Sequence, residues 1–243
     1  MEIPSNNLEN TIIARSMGHM AGRRRYDTGC AVAHALDLVG ERWALLVVRE
    51  LLLGPKRFTD LLAGLPGVSP DVLTQRLREL TGVQVVHRRR LAPPGASWVY
   101  ELTPWGAELA PIVLGLARWA SRSPAMPYDA PLGVDSLMLS LTALFDRRAA
   151  SGLDASIAIR LSDQPFQLRI AGGELDLTRG ESHHPDATLE TDQATLLALL
   201  RTDTDLDQMV ESGSLRIVGD RALVERFRQL FPLPAPSGLA ADA

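Results

Sequence analysis

Ser69-Pro70-Asp71-Val72-Leu73-Thr74-Gln75-Arg76-Leu77-Arg78-Glu79-Leu80 is the stretch on which the reading of the fold turns. Its first three residues predict a helix start. Serine accepts a backbone N–H at the cap, proline at the first helical position gives up a donor that would be unpaired anyway, and the acid faces the positive end of the dipole. Leu73, Leu77 and Leu80 then fall at i, i+4 and i+7 and face a core. Asp71, Thr74, Gln75 and Arg78 are left on the opposite, solvated face. Thr, Gln and Arg are types that hydrogen-bond base edges, although an ordinary wet surface has the same composition.

Upstream, Phe58, Leu61, Leu62 and Leu65 predict a short helix closed by Pro66-Gly67. Before it, the nearly continuous apolar run that opens at Glu41 and ends at Gly54-Pro55 predicts a buried helix. Val32, Ala35, Leu36 and Val39 recur at helical spacing and stop at Gly40, which predicts a first helix. Downstream, Val83 to Leu91 and Trp98 to Leu102 flank the turn residues Pro93 to Ser97, which predicts a β-hairpin. Its first strand carries His87-Arg88-Arg89-Arg90, a cationic ribbon suited to phosphates or a minor groove. Helix, turn, helix, then basic hairpin is the winged-helix order, and it implies duplex DNA as partner. The DNA-binding set expected is Arg57, Ser69, Asp71, Thr74, Gln75, Arg76, Arg78, Arg88, Arg89 and Arg90.

Thr103-Pro104 repeats the cap-plus-proline signal. Leu109, Ile112, Val113, Leu116 and Trp119 trace an apolar stripe down a helix expected to end near Arg122. Such a stripe packs either on its own domain or on a second copy, and a DNA reader of this size gains from two half-sites. The stripe is therefore the expected homodimer seam.

The net charge of −4 argues against nucleic acid until the chain is divided. Residues 23–123 hold 14 basic and 9 acidic side chains, whereas residues 124–243 hold 10 and 18. The basic half is the nucleic-acid candidate. With 46% hydrophobic and 22% charged residues, the 243-residue chain can bury two modest cores. Its apolar runs fall far short of the roughly 20 residues that cross a bilayer, so no membrane partner is expected. A single cysteine rules out an internal disulfide, the N-terminus lacks the order of a secretory signal, and a cytoplasmic location is expected. Residues 1–22 are polar and aperiodic and are read as disordered, with Met20 an alternative start.

The proline-bearing segment 123–131 reads as a linker, after which the composition turns acidic. Val134, Leu137, Met138, Leu141, Leu144 and Phe145 predict an amphipathic helix. Strands are expected at Ala155 to Leu161, Phe166 to Ile170, Leu175 to Thr178, Ala187 to Thr191 and Leu215 to Asp220. Helices are expected at Ala194 to Leu200, Leu206 to Glu211 and Leu223 to Leu230, and the tail 233–243 is read as disordered. The fold class is thus α+β: a winged helix-turn-helix domain over 23–122 and an α+β domain over 132–232.

Gly29-Cys30-Ala31-Val32-Ala33, Leu36 to Trp43, Arg49 to Gly54, Arg57 to Leu61, Leu73 to Leu80 and Tyr100 to Thr103 with Trp105-Gly106 closely resemble the HxlR-type winged-helix regulators. The resemblance departs at Ala31, where the pattern has proline, and at Thr81 to Gln84. It implies a homodimer, a palindromic DNA target and a recognition helix at Ser69 to Leu80. It also matches Cys30 to a redox- or electrophile-sensing position, against which stands the plainer role of a small buried hydrophobe. The second half, with its Thr-Asp-capped helices, its Gly-x-Leu-x-Ile-x-Gly-Asp segment and closing helix, resembles the sterol-carrier-protein-2 (SCP2) type. That likeness implies an apolar cavity for a small hydrophobic effector. Leu137, Leu141, Ile157, Ile159, Phe166, Leu168 and Met209 are the lining candidates, and for each of them ordinary core is the favoured role.

Signals for other chemistry are weak. Asp203-Thr204-Asp205-Leu206-Asp207 imitates a calcium loop but has Gln208 where glycine is required and Ser214 where a bidentate glutamate is required, so it reads as a helix-start acid cluster. His183-His184-Pro185 lacks further ligands at metal spacing. No phosphate loop or nucleophile motif is present, so no metal, no cofactor and no enzymatic activity are expected. The competing reading is a lipid or small-molecule carrier, or an interaction protein, with a redox-responsive Cys30.

Overall fold

The computed structural model describes residues 25–92, 95–128, 130–200 and 204–237. The expectations for residues 1–22, for Pro93-Pro94 and for the end of the tail lie outside these, as do Arg23 and Arg24. The chain divides into two compact units between Ala110 and Pro111.

In the first unit, α1 (Ala31–Val39), α2 (Ala44–Leu51), α3 (Phe58–Gly64) and α4 (Pro70–Gly82) precede a hairpin of β1 (Val86–Arg90) and β2 (Trp98–Leu102) and the single turn α5 (Pro104–Ala107). Val47, Val48 and Leu51 of α2, Leu61 of α3, and Leu73, Leu77 and Leu80 of α4 are buried together with Val85, Val86 and Val99. Three expectations are corrected. Helix α2 starts at Ala44, because Glu41 to Trp43 form a turn in which Trp43 takes a φ of +76°. The apolar stripe of α1 is not core: only Val39 is buried, while Val32 is 69% and Leu36 44% exposed. The helix expected from Thr103 to Arg122 is broken into α5 and α6 (Ala110–Ala120), leaving Leu109 between them. Pro111 explains the break, since it has no N–H to donate to the preceding turn and restricts the residue before it.

The second unit places a five-stranded sheet, β3 (Ala155–Leu161), β4 (Gln164–Ala171), β5 (Glu174–Arg179), β6 (Ala187–Thr191) and β7 (Leu215–Gly219), in the order β5-β4-β3-β6-β7. Only β3 and β6 pair in parallel. Strand alternation puts Ile157, Ile159 and Leu161 opposite Leu168, Phe166 and Gln164 and buries the apolar set on one face. Helices α7 (Val134–Leu144), α8 (Gln193–Leu200), α9 (Leu206–Glu211) and α10 (Arg221–Arg228) supply Leu137, Met138, Leu196, Leu199, Val224 and Phe227 to that core. Gly219 is required where it stands. Its φ is +94°, and a Cβ there would lie 2.3 Å from the Asp186 carbonyl oxygen. Asp220 then caps α10 by accepting from Leu223 N at 3.1 Å.

Helix α6 belongs to this second unit, whereas the sequence places it in the first. Arg118 Nε donates to the carbonyl of Ala143 in α7 at 2.7 Å, and Ser237 N donates to the carbonyl of Arg122 just past α6 at 2.7 Å. Among the described residues no helix is long and apolar enough to cross a membrane.

Candidate nucleic-acid interface

Helix α4 is set by its first turn. Ser69 Oγ accepts from Val72 N at 3.3 Å, Pro70 stands at the first helical position, and Asp71 faces the dipole. Burying Leu73, Leu77 and Leu80 turns Asp71, Thr74, Gln75 and Arg78 outward, and all four are exposed. Thr74 Oγ1 donates to the Pro70 carbonyl at 2.8 Å, and Gln75 Nε2 donates to Glu79 Oε1 at 3.0 Å, so two of these side chains are held along the helix. Arg57, also exposed, caps α3, its backbone N–H donating to Asp60 Oδ2 at 3.0 Å.

Arg76 departs from this face. Its side chain is only 9% exposed, paired with Glu79 and 3.9 Å from Glu41. The reason is positional: at i+3 from Leu73 and beside Leu77, residue 76 belongs to the buried stripe. It clamps α4 to the segment ahead of α2 and does not share the exposed row.

The hairpin also sorts its cations. Cross-strand pairs Arg88 with Tyr100 and Arg90 with Trp98 share one face, while His87 and Arg89 face Glu101 and Val99 on the other. Arg89 pairs with Glu101, whose hydrogen bond raises the already high pKa of the guanidinium, and His87 Nε2 lies 3.7 Å from the same carboxylate. Arg90 Nε donates to the Ala96 carbonyl at 3.3 Å. Arg88 instead lies over aromatic rings, 4.6 Å from the Trp98 centroid and 5.9 Å from that of Tyr100.

Sequence reasoning missed what anchors this hairpin. Lys56 forms an isolated antiparallel bridge with Tyr100, adding a third strand-like segment to β2. Its ammonium donates to Glu50, a carboxylate 1% exposed that also accepts from Arg49 Nη2 at 2.8 Å. The available signal was Glu50 itself, an acid inside an apolar helix, which needs a partner when buried.

The expected dimer residues of α6 are open on this chain: Ile112 is 54%, Leu116 46% and Trp119 77% exposed, Val113 is half-buried, and the helix buries none of its residues. Cys30 is exposed and precedes α1 as its N-terminal cap residue. The seven lining candidates of the second unit, Leu137, Leu141, Ile157, Ile159, Phe166, Leu168 and Met209, are all buried. A cavity of about 430 Å³ in the same unit lies elsewhere, lined by Arg147, Ser151 to Asp154 and the Gly172-Gly173 turn. Beside Phe166, Arg179 stacks at 4.7 Å and pairs with the buried Asp135 at the start of α7. Asp205 caps α9 by accepting from Asp207 N at 2.9 Å, and His183 and His184 are exposed in a turn.

Residues 38–126 match the HxlR-like helix-turn-helix family, and residues 141–232 match the SCP-2 sterol transfer family. The HTH-type transcriptional regulator YvaP of Bacillus subtilis is 39% identical over 87 residues, which cover 36% of this chain and 81% of that protein. The HTH-type transcriptional regulator sll1512 of Synechocystis is 35% identical over 98 residues, covering 40% of this chain and 73% of that one. Among solved structures, the redox regulator HypR in its oxidized form is 31% identical, covering 40% of this chain and all of that chain, with a TM-score of 0.37. The first of these family matches runs through α6, the helix that lies within the second unit.

Proposed function

This chain belongs to the HxlR-like helix-turn-helix family of transcriptional regulators, and from that premise we propose that it works in the cytoplasm as a homodimer on a palindromic operator. Each α4 enters a major groove, each hairpin lies on the flanking backbone, and the second unit binds a small apolar effector that changes the affinity for DNA. The observation that carries the reading is the exposed row Asp71, Thr74, Gln75 and Arg78 on a capped helix, followed in the chain by an arginine-bearing hairpin. The dimer rests on the uncovered apolar side chains of α6, Ile112, Leu116 and Trp119. The effector rests on the match to a sterol transfer family and on the apolar layer that includes Leu137, Leu141, Phe166, Leu168 and Met209.

The direct test is binding to DNA upstream of the protein's own gene. Phosphate neutralisation produces a steep fall of affinity with salt, about 0.9 log units per neutralised phosphate for each log unit of salt. Gln75→Ala or Arg78→Ala should relax base preference by roughly 1–3 kcal/mol for each bidentate pair of hydrogen bonds to a base that it removes. Equal weakening on all sequences would show that these side chains hold only phosphate. For the effector, a fluorescent fatty acid titrated into the full chain should bind saturably and shift DNA affinity. Saturable binding that leaves DNA affinity unchanged would favour the carrier reading.

A further inference from the structure

The hairpin keeps Trp98 52% exposed. Trp98 stands directly opposite Arg90 and diagonally from Arg88, on the same face of the hairpin, so its ring lies within reach of both. It is Arg88 that stacks on it, at 4.6 Å, with Tyr100 on the same face at 5.9 Å. The other two arginines are engaged differently, Arg89 with a carboxylate and Arg90 with a turn carbonyl.

We propose that Trp98 is a positioning residue that holds the Arg88 guanidinium for insertion into a narrow, A·T-rich minor groove beside the half-site. The inference rests on the DNA-binding reading above. A guanidinium stacked on a ring uses its face, while its five N–H donors lie in its plane and remain directed at acceptors. The acceptors offered by an A·T minor groove are adenine N3 and thymine O2, and the narrow groove of A-tracts concentrates negative potential that draws arginine in. Stacking also restricts a long, rotamer-rich side chain before DNA arrives, so less freedom is lost on binding. Arg89 is poorly suited to the same task, because Glu101 would enter the groove with it.

The test uses the full-length protein and duplexes that it selects from a randomised library, remade with A·T-rich or G·C-rich flanks. Trp98→Ala should weaken binding to A·T-flanked duplexes roughly 3- to 10-fold. It should leave G·C-flanked binding close to that of the unaltered protein and keep the salt slope, because the charge is still present. Trp98→Phe should restore most of the affinity by restoring a ring. In an Arg88→Ala background, Trp98→Ala should add nothing, as expected for a residue that acts through Arg88. A loss equal on both flanks, or one that persists without Arg88, would overturn the proposal while the DNA-binding reading stands. Failure of the unaltered protein to select any sequence would overturn both.

Discussion

Lys56 and Tyr100 exchange two backbone hydrogen bonds, Lys56 N to Tyr100 O at 2.9 Å and Tyr100 N to Lys56 O at 2.8 Å. The bridge ties the residue just ahead of α3 to the middle of β2, so the arginine hairpin is fixed to the helical core rather than tethered by its turn alone. The Lys56 side chain extends the tie inward to Glu50, and Glu50 in turn holds Arg49. The segment that bridges the wing is thereby linked to one buried carboxylate.

Glu50→Ala should therefore cost the first unit stability. Removing one partner of a buried ion pair costs about 3–5 kcal/mol, and because Arg49 and Lys56 keep some solvent exposure the lower figure is expected. Urea unfolding followed by tryptophan fluorescence reports mainly on this unit, since three of the four tryptophans, Trp43, Trp98 and Trp105, lie in it and Trp119 lies in the second. An unchanged midpoint would mean that the carboxylate does not anchor the hairpin.

Gly64→Ala should be destabilising where a helical Gly→Ala change ordinarily gains up to about 1 kcal/mol. A Cβ at residue 64 would lie 2.2 Å from Glu50 Oε2, the oxygen that the Lys56 ammonium holds. The expected cost is about 1–3 kcal/mol. In a Glu50→Ala background the obstacle is gone, so the same glycine change should become neutral or favourable, and this non-additivity is the diagnostic outcome. Additive effects would place the clash elsewhere.

The elements set by local chemistry were readable from the chain. Ser69-Pro70 starts α4 where cap and proline signals said, and alternation in Ile157-Ala158-Ile159 and Phe166-Gln167-Leu168 gave the second unit its strands. What periodicity missed were features decided by a distant partner or by one backbone angle. Nothing in the spacing of Val32 and Leu36 separates a helix face that meets its own core from one left open. The burial of Arg76 needs Glu79 and Glu41 together, and the Lys56–Tyr100 bridge spans 44 positions of sequence. Pro111 was a local signal, and the break between α5 and α6 follows from its missing N–H.

Glu101→Ala should tighten binding to DNA. Glu101 now offsets Arg89 and lies 3.7 Å from His87, so its removal exposes one more cation on the ribbon and relieves repulsion from phosphate. The salt slope should steepen by about 0.9 if the freed arginine reaches a phosphate. Arg89→Ala should do the opposite and weaken binding on every sequence alike, because it leaves the carboxylate uncompensated. Fluorescence anisotropy across a salt series separates the two, and a Glu101→Ala protein that binds less tightly would show that the pair serves the shape of the hairpin rather than its charge.

If the proposed homodimer seats on α6, replacing Ile112 and Leu116 with serine should leave the protein monomeric without unfolding it. Both side chains are about half exposed on a helix that buries none of its residues, so the change removes little from the core of the chain that carries them. Burial of each such side chain at an interface contributes on the order of 1.5–3 kcal/mol, and a twofold seam counts every substitution twice. Sedimentation at micromolar concentration should then show a single monomeric species with an unchanged circular dichroism spectrum. The same variant should lose tight binding to a palindrome while keeping weak, salt-sensitive binding to a single half-site, because α4 and the hairpin remain intact. A variant that stays dimeric would move the seam away from α6, and the exposed Val32 and Leu36 of α1 would be the next pair to test.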